Sequence, residues 1–150
     1  MDYDQYEARV KEIEETNNGH LSTFKIWLKA KGLADKTINS HINNVDFYIN
    51  QYLNYYDAQE VQAGCYCISG FLGDFFIRKA MWSSCPQIKS NAASIKKFFA
   101  CMLENGVVGK DDYDNLCEDI KEDMDEWLED MRSYEESLDN IDMFEDLLDQ

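Results

Sequence analysis

Proline is nearly absent from this 150-residue chain, which has Pro86 alone, seven glycines and three arginines. So little punctuation excludes folds made of many short strands and turns, and it favours long helices. No apolar run approaches the roughly 20 residues of a membrane span. The start, Met1-Asp2-Tyr3-Asp4-Gln5, is acidic and lacks the basic-then-apolar pattern of a secretory leader, so the expected compartment is cytoplasmic. A Gly-rich phosphate loop, a Walker motif, a His-Glu-x-x-His pair and a nucleophile elbow are all missing. What is present is apolar enough to fold. Hydrophobic residues make up 45% of the chain and aromatics 13%, which excludes wholesale disorder. A chain of this length suits one domain that buries roughly two thirds of its unfolded surface.

Positive charge is scarce in total but unevenly placed. The net charge is −16, which by itself argues against nucleic acid, because phosphate binding depends on Lys and Arg. Residues 1–19 carry a net −4, residues 20–110 a net +4 and residues 111–150 a net −16. The sequence therefore divides into an N-terminal helix (1–19), a mildly basic helical module (20–110) and an acidic extension (111–150). Most acids of the extension fit a solvated helix face, so no general acid/base pair is read among them.

Five cysteines and two histidines are available. Cys65-x-Cys67 with His20 or His41 fits none of the common zinc spacings. Cys101 and Cys117 lie on or beside apolar helical faces, where free cysteine packs as a small hydrophobe. No metal, cofactor or small-molecule substrate is expected.

Hydrophobic spacing sets out the helices. Tyr3, Tyr6, Val10 and Ile13 make one helical face, and Asn17-Asn18-Gly19 reads as its stop. Leu21, Phe24, Trp27 and Leu28 line a second helix ending at Gly32. Asp35 is the expected N-cap of a third helix, with Ile38, Ile42, Val45, Ile49, Tyr52 and Tyr56 inward. Phe47 and Asn54 fall on the opposite face. Ile68 to Trp82 forms an apolar fourth helix. Ser83-Ser84-Cys85-Pro86 is the start of a fifth, which turns Ile88, Ala92, Ile95, Phe99 and Met102 inward. From Asp111 the pattern becomes heptads: Tyr113, Cys117, Ile120, Met124, Trp127, Met131, Tyr134, Leu138 and Ile141. An acid, Glu145, takes the next seam position, so a bend or end is expected near Asp139-Asn140. The fold class is all-α.

The stretch Phe24-Lys25-Ile26-Trp27-Leu28-Lys29-Ala30-Lys31-Gly32-Leu33-Ala34-Asp35-Lys36-Thr37-Ile38 resembles the opening of the core-binding domain of tyrosine recombinases and phage integrases. Phe47 to Leu53 is similar to the end of that family's long second helix. Ile68 to Lys79 and Ser90 to Gly106 are similar to its third and fourth helices. The resemblance covers residues 20–110. It implies a SAM-like helical bundle that grips double-stranded DNA, largely through its second and fourth helices. The corresponding positions here are Lys36, Asn39 and Asn43, with Lys89, Lys96 and Lys97. Lysines supply charge, and asparagine amides hydrogen-bond phosphates or base edges. The family's catalytic domain has no counterpart in residues 111–150, and neither histidine begins a His-x-x-Arg element. The resemblance therefore implies a non-catalytic module, accessory to DNA integration or recombination. The alternatives are a regulatory interaction module of the same fold that has lost DNA binding, or an acidic inhibitor competing with DNA.

Three roles are open for the acidic helix, whose packing or partner face is Tyr113, Ile120, Met124, Trp127, Met131, Tyr134 and Leu138. It packs onto the module, it pairs with itself or a protein partner, or its acids cover the basic face or imitate a nucleic-acid backbone.

Overall fold

The computed structural model describes residues 2–148, and among them the chain is all helical. Helix α1 (Tyr3–Ala30) is followed by α2 (Asp35–Asp46), which runs into a π-helical segment (Phe47–Tyr52). A 3₁₀ turn (Val61–Cys65) leads to α3 (Ile68–Gly70), a second π-helical segment (Phe71–Phe75) and α4 (Phe76–Lys79). Helix α5 (Cys85–Glu104) and the long α6 (Lys110–Leu148) complete the bundle. None of the helices of the described residues is long and apolar enough to cross a membrane.

Helix α1 does not stop at Asn17-Asn18-Gly19. It begins on a capping box formed by Asp2 and Gln5 and runs for 28 residues. Asn17 is buried on the same side as Ile13, Leu21, Phe24 and Leu28. Its Nδ2 donates to Asn50 Oδ1 at 2.8 Å. A tertiary partner for that amide removes the local competition that makes asparagine a helix breaker. The real stop is Gly32, at φ 83°, where glycine takes the left-handed conformation without a side-chain clash.

Asp35 is not the N-cap of α2. Ala34 occupies that position without a side-chain bond, and Asp35 lies in the first turn. There its charge still complements the positive end of the helix. Further along, the expected stripe drifts. Tyr48 and Leu53 are buried and Phe47 is half-buried, whereas Tyr56 is exposed. Phe47 is covered by Phe71, Phe75 and Trp82, and Leu53 turns inward because of the π segment, where Leu53 N–H donates to Tyr48 O, five residues back. The wider turn advances the helix less per residue and rolls Asn54 inward as well. Asn54 Oδ1 accepts from Gln59 N–H at 3.0 Å and steadies the loop that follows.

The second π segment faces the first across an aromatic cluster. Phe71 stands 5.8 Å from Phe47 and 4.9 Å from Tyr48, and Phe75 stands 4.9 Å from Tyr52. Such offset and edge-on pairs add about 0.5–1.5 kcal/mol each beyond their buried area. The helical run ends at Lys79, short of Trp82, which lies edge-on to Phe47 and Phe76.

Helix α5 starts as the sequence indicates. Ser84 Oγ accepts from Gln87 N–H, Pro86 sits in the first turn, and Ile88, Ala92, Ile95, Phe99 and Met102 are buried. Helix α6 packs on this bundle through Leu116, Trp127, Leu128 and Met131, with Tyr113, Ile120, Met124 and Tyr134 half-buried against the core. Leu116 and Leu128 lie beside the heptad seam, so the buried stripe is broader than a two-position seam. Trp127 seats against Gly73, where an added Cβ would come within 2.8 Å of its Cδ1. Polar ties hold the same stretch: Asn115 Nδ2 donates to Cys65 O at 3.0 Å, and Ser69 Oγ donates to Asp123 Oδ2 at 2.8 Å. The helix does not end at Asp139-Asn140, and α6 stays helical through Leu148. From Glu135 to Leu148 every residue is exposed, Leu138 included.

The cysteines are free thiols. Burial pushes Cys65 up to about 12 and Cys101 up to about 11, so both stay protonated and unreactive at neutral pH. Among the described residues no cluster of three His, Cys, Asp or Glu side chains could hold a metal ion. A thiol-reactive disulfide added to the native protein at pH 8 is expected to label at most three of the five cysteines quickly. Cys65 and Cys101 react only after unfolding, and fast labelling of all five would contradict this packing.

Candidate nucleic-acid interface

Helices α2 and α5 pack side by side, and their seam is polar. Asn44 Nδ2 donates to Ser94 Oγ at 3.0 Å and to Ser90 Oγ at 3.3 Å. Ser94 Oγ donates its one hydrogen to Ser90 O at 3.0 Å. His41 Nδ1 lies 2.7 Å from the same Ser94 oxygen. Burial, with Lys97 nearby, lowers the His41 pKa. The ring is therefore neutral at physiological pH, and the seam adds no charge of its own.

The residues singled out from the sequence flank this seam. Lys36, Asn39 and Asn43 are exposed on α2, and Lys89, Lys96 and Lys97 are exposed on α5. Among the described residues none of these four lysines forms an ion pair. The two pairs that α6 makes, Lys110 with Asp114 and Arg132 with Glu129, lie within α6 itself. The acids of α6 therefore do not neutralise the lysines by direct contact.

One cation was not picked out from the sequence. Lys31 lines a shallow groove with Lys96, Lys97, Ala93, Ala100 and Trp27, closed at one side by Tyr113 of α6. Its ammonium sits 4.3 Å above the Trp27 ring, an arrangement favoured by the negative face of the indole. Trp27 Nε1 donates to Glu104 Oε2 at 2.6 Å, which fixes the ring. The spacing of four between Trp27 and Lys31 carries that signal, because residues four apart share a helix face. The Ser94–His41–Asn44 seam has no such local signature, since it joins residues about fifty positions apart.

The arrangement offers positive charge and amide donors on two adjoining helices. No protein-family model, curated protein or solved structure matches the chain. The likeness to recombinase core-binding domains therefore rests on the sequence stretches quoted above.

Proposed function

We propose that the protein is a non-catalytic module that meets double-stranded DNA through the α2–α5 face. One observation carries this reading: the lysines and asparagines singled out by the recombinase resemblance lie exposed on two packed helices, with no acid among the described residues paired to the lysines. The neutral His41–Ser94 seam fixes the spacing of the two helices. The lysines then neutralise phosphates, and Asn39 and Asn43 hydrogen-bond phosphate oxygens or base edges. Accessory work in DNA integration or recombination is the process the resemblance implies.

So few cations give a modest salt dependence. Each neutralised phosphate contributes about 0.9 to the log–log slope, so about three to five contacts give a slope of about −2.7 to −4.5. Duplex binding by the full chain, followed by anisotropy across a salt series, tests this directly. The triple variant K89Q/K96Q/K97Q is expected to weaken binding and flatten the slope by about 2 to 3. Removing residues 135–150, which takes away seven acids and none of the described buried residues, is expected to tighten it. A wild-type chain that ignores duplex DNA at low salt, or a triple variant that binds as well as wild type, would sink the proposal.

A further inference from the structure

The last turns of α6 carry an apolar face with nothing on it. The seam that packs on the bundle through Trp127, Met131 and Tyr134 continues in register through Leu138, Ile141 and Leu148, with Phe144 beside the seam position held by Glu145. Leu138 is 45% exposed, Ile141 51%, Phe144 62% and Leu148 68%. At about 1.5 Å per residue, residues 135–148 extend the helix by about 20 Å. A face of large side chains left in water at helical spacing is the usual mark of a surface that another helix covers.

The charge around this face specifies the chemistry of its occupant. Residues 133–148 contain six acids and no base. The last cation before them, Arg132, is paired with Glu129 at 3.6 Å. A second copy of the helix brings no cation to this face: in a parallel pair Glu135 stands near Asp130 and in an antiparallel pair it stands near Asp142, and like charges across a helical seam oppose association. Glu145 sits in the seam itself. Covering it with an apolar side chain strands a desolvated carboxylate, whereas a Lys or Arg from the partner satisfies it. An anionic polymer or membrane surface is repelled by the same acids.

We propose that the exposed end of α6, centred on Ile141 and Phe144, docks a basic amphipathic helix of another protein. Leucine-type side chains from that helix cover Leu138, Ile141, Phe144 and Leu148, and its Lys or Arg residues meet Glu145 and Asp142. This surface is separate from the α2–α5 face and stands whether or not that face binds DNA.

The probe is a fluorescein-labelled helical peptide of about three heptads, with Leu at seam positions and Lys or Arg on the flanks. Two controls keep its length: one has Ser at the seam positions, the other Glu on the flanks. Titration of each with the full chain at about 0.15 M salt separates apolar docking from charge adhesion. The Leu/Lys peptide is expected to bind, and both controls to bind at least about tenfold more weakly. Protein variant I141S/F144S keeps every charge, and two lost apolar anchors are expected to weaken binding by at least about tenfold. E145Q is expected to lower affinity by a few fold and to reduce its salt dependence. Circular dichroism checks that the variants keep the wild-type fold. Failure of the Leu/Lys peptide to bind, or equal binding by the Ser-seam peptide or by I141S/F144S, overturns the proposal. So does a wild-type dimer in sedimentation that I141S/F144S dissociates, because a second copy would then be the occupant.

Discussion

Deleting residues 111–150 is expected to abolish cooperative unfolding, whereas deleting residues 135–150 leaves the thermal midpoint nearly unchanged. Both outcomes follow from where α6 touches the bundle. Leu116, Trp127, Leu128 and Met131 are buried, and each large apolar side chain contributes about 1.5–3 kcal/mol when buried. Their joint loss is comparable with the roughly 5–15 kcal/mol by which a whole domain is stable. It also exposes the second π segment, where Gly73 seats Trp127. Among the described residues nothing beyond Tyr134 is buried, so the shorter deletion leaves the described core intact. The single substitution Trp127→Ala isolates the effect. The indole is 2% exposed, and its removal is expected to cost about 3–5 kcal/mol in urea denaturation. A stable, cooperatively melting 1–110 fragment would show that α6 is not part of the core. For that reason a DNA-binding experiment on the basic module needs the chain at least through Tyr134.

Gly64→Ala is expected to destabilise the protein by about 1–3 kcal/mol, a cost characteristic of overpacking. An added Cβ would stand 2.6 Å from Phe99 Cζ and 3.1 Å from Tyr48 Cε2. Neither ring has room to retreat, since both are fully buried. The backbone cannot retreat either, because the Gly64 carbonyl accepts from the Tyr48 hydroxyl at 2.6 Å. Phe99→Leu clears the space that the new methyl needs. Although Phe99→Leu alone destabilises, the double variant should lose less than the two single losses combined. Strict additivity in that cycle would mean that the clash is relieved elsewhere.

The parts of this fold that local chemistry decides are legible in the sequence. Ser84 and Pro86 mark the start of α5 because a hydroxyl cap and a fixed φ act within one turn. The alternation from Tyr113 to Tyr134 marks the packed part of α6 for the same reason. What local chemistry cannot show is a distant partner. Asn17 looks like a stop until Asn50 is brought beside it, and Phe47 looks outward until Phe71, Phe75 and Trp82 are brought against it. The break expected at Asp139-Asn140 was inferred from the acid at Glu145, but a projecting helix is indifferent to an acid in its seam when nothing covers that seam. At the candidate interface the exposure of Lys36, Lys89, Lys96 and Lys97 follows from their helical phase. The hydrogen bonds that set α2 against α5 do not, since Ser94 and His41 meet only in the folded chain.

The paired π segments also bear on how this chain can change length over generations. Each is in effect an α-helix carrying one residue too many, held in place because the aromatic side chains on either side need the altered phase. Loss of a single codon between Phe47 and Tyr52 would leave a regular helix locally, yet it would swing Leu53 and Asn54 out of the interior by about 100°. A missense change at most of these positions trims a contact, whereas an in-frame deletion there misaligns everything that follows until the Asp57–Glu60 connection absorbs the slip. Length variation among descendants of this sequence should therefore gather in that connection and beyond Tyr134, and spare the two wide turns.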